Sequence, residues 1–184
     1  KNGGENGITL LGDTLKFVAG PQTDYFRSPD GSVVNNSAVI FTEVDNTKPF
    51  TFTVKVQPEF TETGTYSAGV IYAYENDTHC QKLCFEQDEY GDHRVVSVRT
   101  LGTSDDNNHQ AITAPYVYMR LSSDGTTLGS YFSEDGKIWR MARLYKNDFP
   151  EKLLIGISSQ SPKDNEHTCL FTEVSLTDKP VADF

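Results

Sequence analysis

The residues best suited to chemistry lie in one acidic stretch, Phe85-Glu86-Gln87-Asp88-Glu89. Two carboxyl groups about 5 Å apart can act as nucleophile and general acid in glycoside hydrolysis. Glu86 and Asp88 share one face of an extended strand, whereas Glu89 falls on the other face unless a bulge intervenes. Because Tyr90-Gly91-Asp92 follows at once, Asp88 and Glu89 are predicted to belong to a turn. A hydrolase that uses Glu86 with a second carboxylate therefore stays an alternative.

The other clusters of polar residues give weaker indications of a chemical function. The run Asp105-Asp106-Asn107-Asn108 carries the oxygen ligands that calcium prefers, but it lacks the spacing of an EF-hand and is predicted to be a solvated loop. The four histidines are scattered singly, without the spacing of a hydrolytic zinc site or of a Ser/His/Asp triad. No cofactor is predicted, and a structural calcium bound by separate loops remains compatible with the sequence.

Length and charge limit the class of protein. At 184 residues the chain is predicted to form one domain, residues 1–184, with a sizeable hydrophobic core. Its 16 Lys and Arg residues against 26 Asp and Glu residues give a formal net charge of -10, which disfavours nucleic acids and anionic membranes as partners. The three cysteines lack the spacing of a metal or redox motif, so buried free thiols and a reducing, cytoplasmic compartment are predicted.

The hydrophobic pattern predicts an all-β protein. Short alternating segments recur about every ten to twelve residues and are separated by turn-forming clusters, which is typical of a β-sandwich. The predicted strands are Leu15–Val18, Ala38–Val44, Phe50–Val56, Ala68–Tyr74, Cys80–Glu86, Val95–Thr100, Tyr116–Leu121, Thr127–Ser133, Ile138–Leu144, Leu153–Ser159 and Thr168–Leu176. Asp124-Gly125 and Asp135-Gly136 predict tight type I′ hairpin turns on either side of Thr127–Ser133. So many strands in one domain favour two large packed sheets, a jelly roll.

Side-chain alternation predicts one polar face. Val96 and Val98 are predicted to point into the core, with Ser97 and Arg99 opposite. If four of the strands are neighbours in one sheet, their polar and tyrosyl side chains share its solvent side. The predicted ligand-binding residues are Tyr72, Tyr74, Lys82, Glu86, Ser97, Arg99, Tyr118 and Arg120. Tyrosine rings can stack on a sugar, and charged groups can fix its hydroxyls.

A purely structural role for these polar residues is the alternative to a ligand-binding site. Glu86 would then only form cross-strand ion pairs with Lys82, Arg99 or Arg120, as charged residues on a solvated sheet often do.

Several short motifs, taken in order, resemble a known family. The motifs are Thr23–Arg27, Phe52–Val56, Ala68–Val70, Lys82-x-x-x-Glu86, Ser97–Thr100, Tyr118–Leu121, Tyr131-Phe132-Ser133-x-Asp135-Gly136-x-x-Trp139, Arg143, Ile155–Ile157, Ser161-Pro162 and Phe171. Over roughly residues 15–177 the chain resembles the concanavalin A-like family that contains the regulation of enolase protein 1, a domain of unknown function. The resemblance implies a two-sheet antiparallel β-sandwich of the lectin/glucanase type and no established reaction. The family usually has an aromatic residue at Cys80 and an Asp-Trp pair where this chain has Asp105–His109.

The leading prediction is a non-enzymatic domain that binds a carbohydrate or another polyhydroxy small molecule on the concave sheet. Two alternatives stay open: a glycoside hydrolase that uses Glu86, and a regulatory module with a protein partner. Affinity for a glycan, turnover of a glycan or capture of a protein would distinguish the three.

Overall fold

The computed structural model describes residues 1–184, which form fifteen β-strands and one short helix. The elements in chain order are α1 (Gly4–Gly7), β1 (Ile8–Leu11), β2 (Thr14–Ala19), β3 (Tyr25–Arg27), β4 (Val33–Asn35), β5 (Ile40–Asp45), β6 (Phe50–Pro58), β7 (Ala68–Asn76), β8 (His79–Gln87), β9 (His93–Leu101), β10 (Thr103–Ala111), β11 (Val117–Ser123), β12 (Thr127–Ser133), β13 (Arg140–Lys146), β14 (Lys152–Gln160) and β15 (His167–Thr177). No helix of the protein has the length and apolar character needed to cross a membrane.

The strands build two large antiparallel sheets. One has seven strands in the order β1-β2-β15-β6-β11-β12-β13, and the other has six in the order β10-β9-β8-β7-β14-β5. Strands β3 and β4 form a separate two-stranded hairpin. The predicted two-sheet antiparallel β-sandwich of the jelly-roll type is therefore confirmed.

The hydrophobic core lies between the two sheets. It contains 23 buried residues, drawn from inward-facing positions of both sheets. Strand β6 shows the pattern most clearly, because its burial alternates residue by residue from Phe50 to Pro58. Each buried Phe or Val side chain on this strand contributes roughly 1.5–3 kcal/mol relative to an exposed position.

A second apolar cluster lies on the outer face of the six-stranded sheet, away from the core. Ten buried residues form it, including Tyr72 and Tyr74 of β7 and Val96 and Val98 of β9. Tyr25 of the β3–β4 hairpin packs edge-on against the rings of both tyrosines, with centroids 6.1 and 6.0 Å away. The hairpin therefore covers one part of this sheet face and leaves the part beside it open.

The two Asp-Gly turns occur as predicted, but both loops are longer than a two-residue hairpin. Gly125 and Gly136 adopt positive φ angles of 92° and 72°, a conformation that glycine reaches without a steric penalty. The carboxylates of Asp124 and Asp135 each accept hydrogen bonds from backbone N–H groups two and three residues further on. These side-chain bonds hold the wider loops, so the prediction of tight type I′ turns is wrong.

The sequence pattern did not predict four of the strands, which are β1, β3, β4 and β10. The most informative is β10, because the run Asp105–Asn108 was predicted to be a solvated loop. It pairs instead with β9, with Asp106 opposite Val98 and Asn108 opposite Val96. Asp and Asn are poor strand formers, but β10 is an edge strand, where the backbone ladder with β9 holds it and its side chains reach water.

Candidate functional site

A polar cavity of about 350 Å³ opens on the uncovered part of the six-stranded sheet's outer face. Strands β8, β9 and β10 contribute its floor, and the segment that leads into β3 contributes one wall. Its carboxyl groups come from three separate stretches of chain. They are Asp24, Glu86, Asp88, Glu89 and Asp106.

Lys82 supplies the one positive charge of the cavity. It is only 4% exposed, and its Nζ donates to Asp24 Oδ1 at 2.9 Å and to Gln160 Oε1 at 3.1 Å. Burial alone would lower the pKa of Lys82, but the adjacent Asp24 carboxylate outweighs it and raises the pKa above its ordinary value. Lys82 therefore stays protonated, and its charge is balanced by Asp24.

Glu86 lies half-buried on the same face of β8 as Lys82. Its carboxyl group has no hydrogen-bond or ion-pair partner in the protein, although Arg94 is its register partner on β9. Desolvation raises the pKa of Glu86 to about 8, against the opposing attraction of Lys82. The carboxyl group is consequently neutral for much of the population at pH 7 and can both donate and accept a hydrogen bond.

Strand β10 brings two further unpartnered groups to the cavity. Asp106 lies opposite Val98, which in turn lies opposite Lys82, so that Asp106 and Lys82 flank the same strand. Partial desolvation raises the pKa of Asp106, and the side chains of Asp106 and Asn108 make no hydrogen bond within the protein. Both are free to bind a ligand.

Asp88 has a structural role. It is 4% exposed, accepts hydrogen bonds from the backbone N–H groups of Tyr90 and Asp92, and forms an ion pair with Arg94 at 2.5 Å. These donors hold the pKa of Asp88 below its ordinary value even though burial opposes them. Its position agrees with the predicted turn, and its oxygens are committed to that turn.

Two aromatic side chains, Phe26 and Tyr66, line the cavity beside the polar groups. Tyr66 adopts a positive φ of 64°, which costs a non-glycine residue roughly 1–3 kcal/mol. Backbone bonds stabilise this conformation: Tyr66 N–H donates to Gln87 O at 2.7 Å, and Gln160 Nε2 donates to Tyr66 O at 3.3 Å. The strained backbone therefore fixes an aromatic ring where a ligand could stack.

Of the eight predicted site residues, the structure brings Lys82 and Glu86 together in this cavity. Tyr72 and Tyr74 lie on the same sheet face, but the β3–β4 hairpin covers them, so that Tyr72 is fully buried and Tyr74 is 8% exposed. Neither ring is available to stack on a ligand.

The predicted placement of Ser97 and Arg99 is wrong. Both point toward the seven-stranded sheet, whereas Val96 and Val98 belong to the outer cluster. Arg99 stacks on Tyr145 at 3.9 Å, and Ser97 Oγ accepts a hydrogen bond from Arg143 Nε at 3.1 Å. The error arose because β9 carries valines on both faces, so that apolar character alone does not tell which face is the core.

The predicted placement of Tyr118 and Arg120 is also wrong. Strand β11 pairs with β6 and β12 in the seven-stranded sheet, so both side chains lie on the opposite outer surface of the sandwich. Tyr118 donates to Glu173 at 3.1 Å, and Arg120 stacks on Trp139 at 3.6 Å. The cross-strand ion pairs of Glu86 that the structural alternative required do not form.

Sequence reasoning missed Asp24, Asp106, Asn108 and Gln160. A usable signal existed for only two of them, because Asp106 and Asn108 alternate and would share a face if the run were read as a strand. Asp24 and Gln160 are distant in sequence from β8, so only the fold places them beside Lys82. The structure contains no group of three or more His, Cys, Asp or Glu residues arranged to hold a metal ion.

Fold and cavity together define a β-sandwich with a polar, carboxyl-rich cavity on the outer face of its six-stranded sheet. The chain belongs to the family described as "Protein of unknown function (DUF1349)", whose model matches residues 6–179. No curated protein matches the chain.

Several solved structures share the fold. A functionally unknown protein from Saccharomyces cerevisiae is 23% identical with a TM-score of 0.83, over 93% of this chain and 91% of that one. A GH43 protein from Bacillus licheniformis is 14% identical with a TM-score of 0.71, over 95% of this chain and 35% of that one, so this chain spans about a third of its length. An alginate lyase from Pseudomonas aeruginosa is 10% identical with a TM-score of 0.59, over 94% of this chain and 86% of that one. At these identities the likeness shows the fold alone.

Proposed function

We propose that the protein binds a carbohydrate or a similar polyhydroxy ligand, without catalysis, in the cavity on the outer face of the six-stranded sheet. The observation that carries the proposal is that three polar side chains of the cavity have no partner in the protein. They are Glu86, Asp106 and Asn108. Glu86 is half-buried and Asp106 and Asn108 are exposed, so water binds these groups in the free protein, and a ligand rich in hydroxyls would replace that water with its own hydrogen bonds.

The chemistry of the cavity suits a sugar. Carboxylate and amide oxygens accept hydrogen bonds from hydroxyls, and a protonated Glu86 can donate one in return. Phe26 and Tyr66 offer flat apolar surfaces for the C–H face of a pyranose ring. Lys82, fixed by Asp24 and Gln160, adds a donor whose position does not change on binding. The fold likeness to a GH43 protein and to an alginate lyase is consistent with this class of ligand.

One observation favours a second candidate, glycoside hydrolysis. Desolvation raises the pKa of Glu86 to about 8, which keeps its carboxyl group protonated at neutral pH as a general acid requires. Asp106, which is unpartnered in the same cavity, would be the second carboxylate. The narrower resemblance to the regulation of enolase protein 1 suggests a third candidate function, a regulatory module with a protein partner. No feature of the cavity supports this third function.

A thermal-shift screen tests the proposal. Purified protein is heated with neutral, amino and acidic monosaccharides and oligosaccharides, each with and without calcium. A ligand at one hundred times its dissociation constant stabilises the folded state by about 2.7 kcal/mol, which gives an easily measured rise in melting temperature. Any ligand found is then titrated by calorimetry and assayed for cleavage.

A matched pair of variants locates the site. Asp106→Asn removes a charge from the cavity, whereas Asp105→Asn changes the neighbouring residue, which points the other way and pairs with Arg143 at 2.9 Å. We expect Asp106→Asn to weaken binding and Asp105→Asn to leave it unchanged. Equal affinities of the two variants, or no ligand in the panel, would contradict the proposal, whereas cleavage that Glu86→Gln abolishes would favour the hydrolase.

A further inference from the structure

A second cavity lies on the opposite side of the sandwich, on the outer face of the seven-stranded sheet. Its volume is about 400 Å³, and Arg120, Tyr131, Trp139 and Met141 form its base. Residues 179–184 run across this sheet face and form one wall. Thr51 Oγ1 donates to Lys179 O at 2.6 Å, and Val181 N–H donates to Ser122 Oγ at 2.9 Å.

The most unusual feature of this cavity is the state of Arg120. The protein has ten more acidic than basic residues, yet Arg120 takes part in none of its ion pairs. Its guanidinium carbon lies 3.6 Å from the Trp139 ring, and its Nε donates to Thr53 Oγ1 at 3.0 Å. Stacking occupies the face of the guanidinium group but not its edge, so the N–H donors on both Nη atoms remain free.

Tyr131 lies next to Arg120 in this cavity. It is 6% exposed, lies opposite Arg120 in the β11–β12 ladder, and its buried hydroxyl has no hydrogen-bond partner. This hydroxyl lies over Gly129 and is closed to solvent, so a ligand in the cavity contacts the Tyr131 ring and not its hydroxyl. Arg120 thus presents free donors to the cavity, and no group of the protein accepts from them.

We propose that this second cavity binds a small ligand that carries a carboxylate, of the sugar-acid type. A carboxylate fits the edge of one guanidinium group through two parallel hydrogen bonds. Trp139 and Met141 provide the apolar surface on which the uncharged part of the ligand would lie. This site is separate from the cavity around Glu86, and it stands whether or not that cavity binds a sugar.

A phosphate fits less well. It carries up to two negative charges and is usually bound by several cations or backbone N–H groups, whereas this cavity offers one guanidinium group. Asp183 also lines the cavity and repels an anion. The singly charged, planar carboxylate is therefore the better match.

The single tryptophan provides a local probe, because Trp139 is the only tryptophan of the chain. Its fluorescence and the one indole N–H signal in a proton–nitrogen NMR spectrum are followed while D-glucuronate, D-glucose or inorganic phosphate is added. We expect a saturable change with glucuronate and none with glucose. Equal responses to the two sugars, no saturable response to glucuronate, or tighter binding of phosphate would overturn the proposal.

Four variants identify the groups involved. Arg120→Gln should weaken glucuronate binding roughly ten- to a hundredfold, whereas Tyr131→Phe, which keeps the ring and removes a hydroxyl that is closed to solvent, should change it by less than about threefold. Arg120→Lys keeps the charge but loses the bidentate geometry and should also bind more weakly. Asp183→Asn removes the competing charge and should bind about two- to fivefold more tightly. Unchanged affinity in folded Arg120→Gln, with a melting curve like that of the wild type, would refute the assignment.

Discussion

Replacing Glu86 by glutamine tests the electrostatics of the cavity directly. The half-buried carboxyl group has a pKa of about 8 in the folded protein, against 4.5 for the ordinary side chain. Because the folded state holds the proton of Glu86 more tightly than the unfolded chain, the contribution of Glu86 to stability is greatest below pH 4.5 and is lost as the pH rises toward 8. Glutamine has nearly the same shape and no charge, so Glu86→Gln removes this pH dependence and stabilises the protein at neutral pH.

The expected magnitude follows from the two pKa values. Between pH 4.5 and pH 7 the unfolded carboxyl group ionises while the folded one stays mostly protonated, which disfavours the folded state by roughly 3 kcal/mol. Glu86 keeps part of its contact with water, so we expect about 1–2 kcal/mol of this to be measured. For a protein of this size that gain raises the melting temperature by roughly 2–8 °C.

Urea denaturation of both proteins at pH 4.5, 6, 7 and 8 gives the unfolding free energies. The difference between variant and wild type isolates Glu86, because every other titrating group is common to both. We expect a difference near zero at pH 4.5 that grows up to pH 8, together with weaker ligand binding by the variant. A variant that is equally or less stable at pH 7, with a difference that does not change with pH, would refute the raised pKa.

Three further substitutions probe the contacts that position the cavity. Gly69→Ala should destabilise the protein by roughly 1–3 kcal/mol in urea denaturation, because a Cβ there would lie 2.3 Å from Cys169 Sγ. Gly20→Ala is the control, because a Cβ at that position has no atom within 4 Å and should leave stability nearly unchanged. Equal effects of the two substitutions would contradict the packing argument. Asp24→Asn leaves the buried ammonium group of Lys82 without its anion and should cost roughly 2–4 kcal/mol in the same assay. An unchanged midpoint would show that water or Gln160 balances that charge.

Which parts of the site were predictable depends on the range of the interactions involved. Lys82 and Glu86 were placed correctly on one face of the sheet, because they lie four residues apart on one strand and alternation puts both on the same side. Ser97 and Arg99 were placed wrongly, because Val95, Val96 and Val98 make both faces of β9 apolar and alternation then gives no answer. The reason is structural: one face of β9 packs in the core, and the other packs in the cluster around the β3–β4 hairpin.

The sheet to which a strand belongs is a second feature that the sequence did not predict. Alternation along β11 separates Met119 and Leu121, which lie in the core, from Tyr118 and Arg120, which lie outside it, but it does not say which sheet contains β11. The partners of β11 are β6 and β12, and the pairing with β6 joins residues more than sixty positions apart. No local pattern encodes that choice, and it moved two predicted ligand-binding residues to the opposite side of the molecule.

The sequence alone determined the fold class, because period-two alternation and turn residues are local properties that each strand and loop must satisfy by itself. Only the tertiary structure decided where a ligand could bind. The cavity needs Asp24 and Gln160 beside Lys82, an edge strand made from an Asp-Asn run, and a hairpin that covers Tyr72 and Tyr74 but leaves Glu86 open. Each of these depends on contacts between residues distant in the chain, whose free energies are set by the assembled sandwich and not by neighbouring residues.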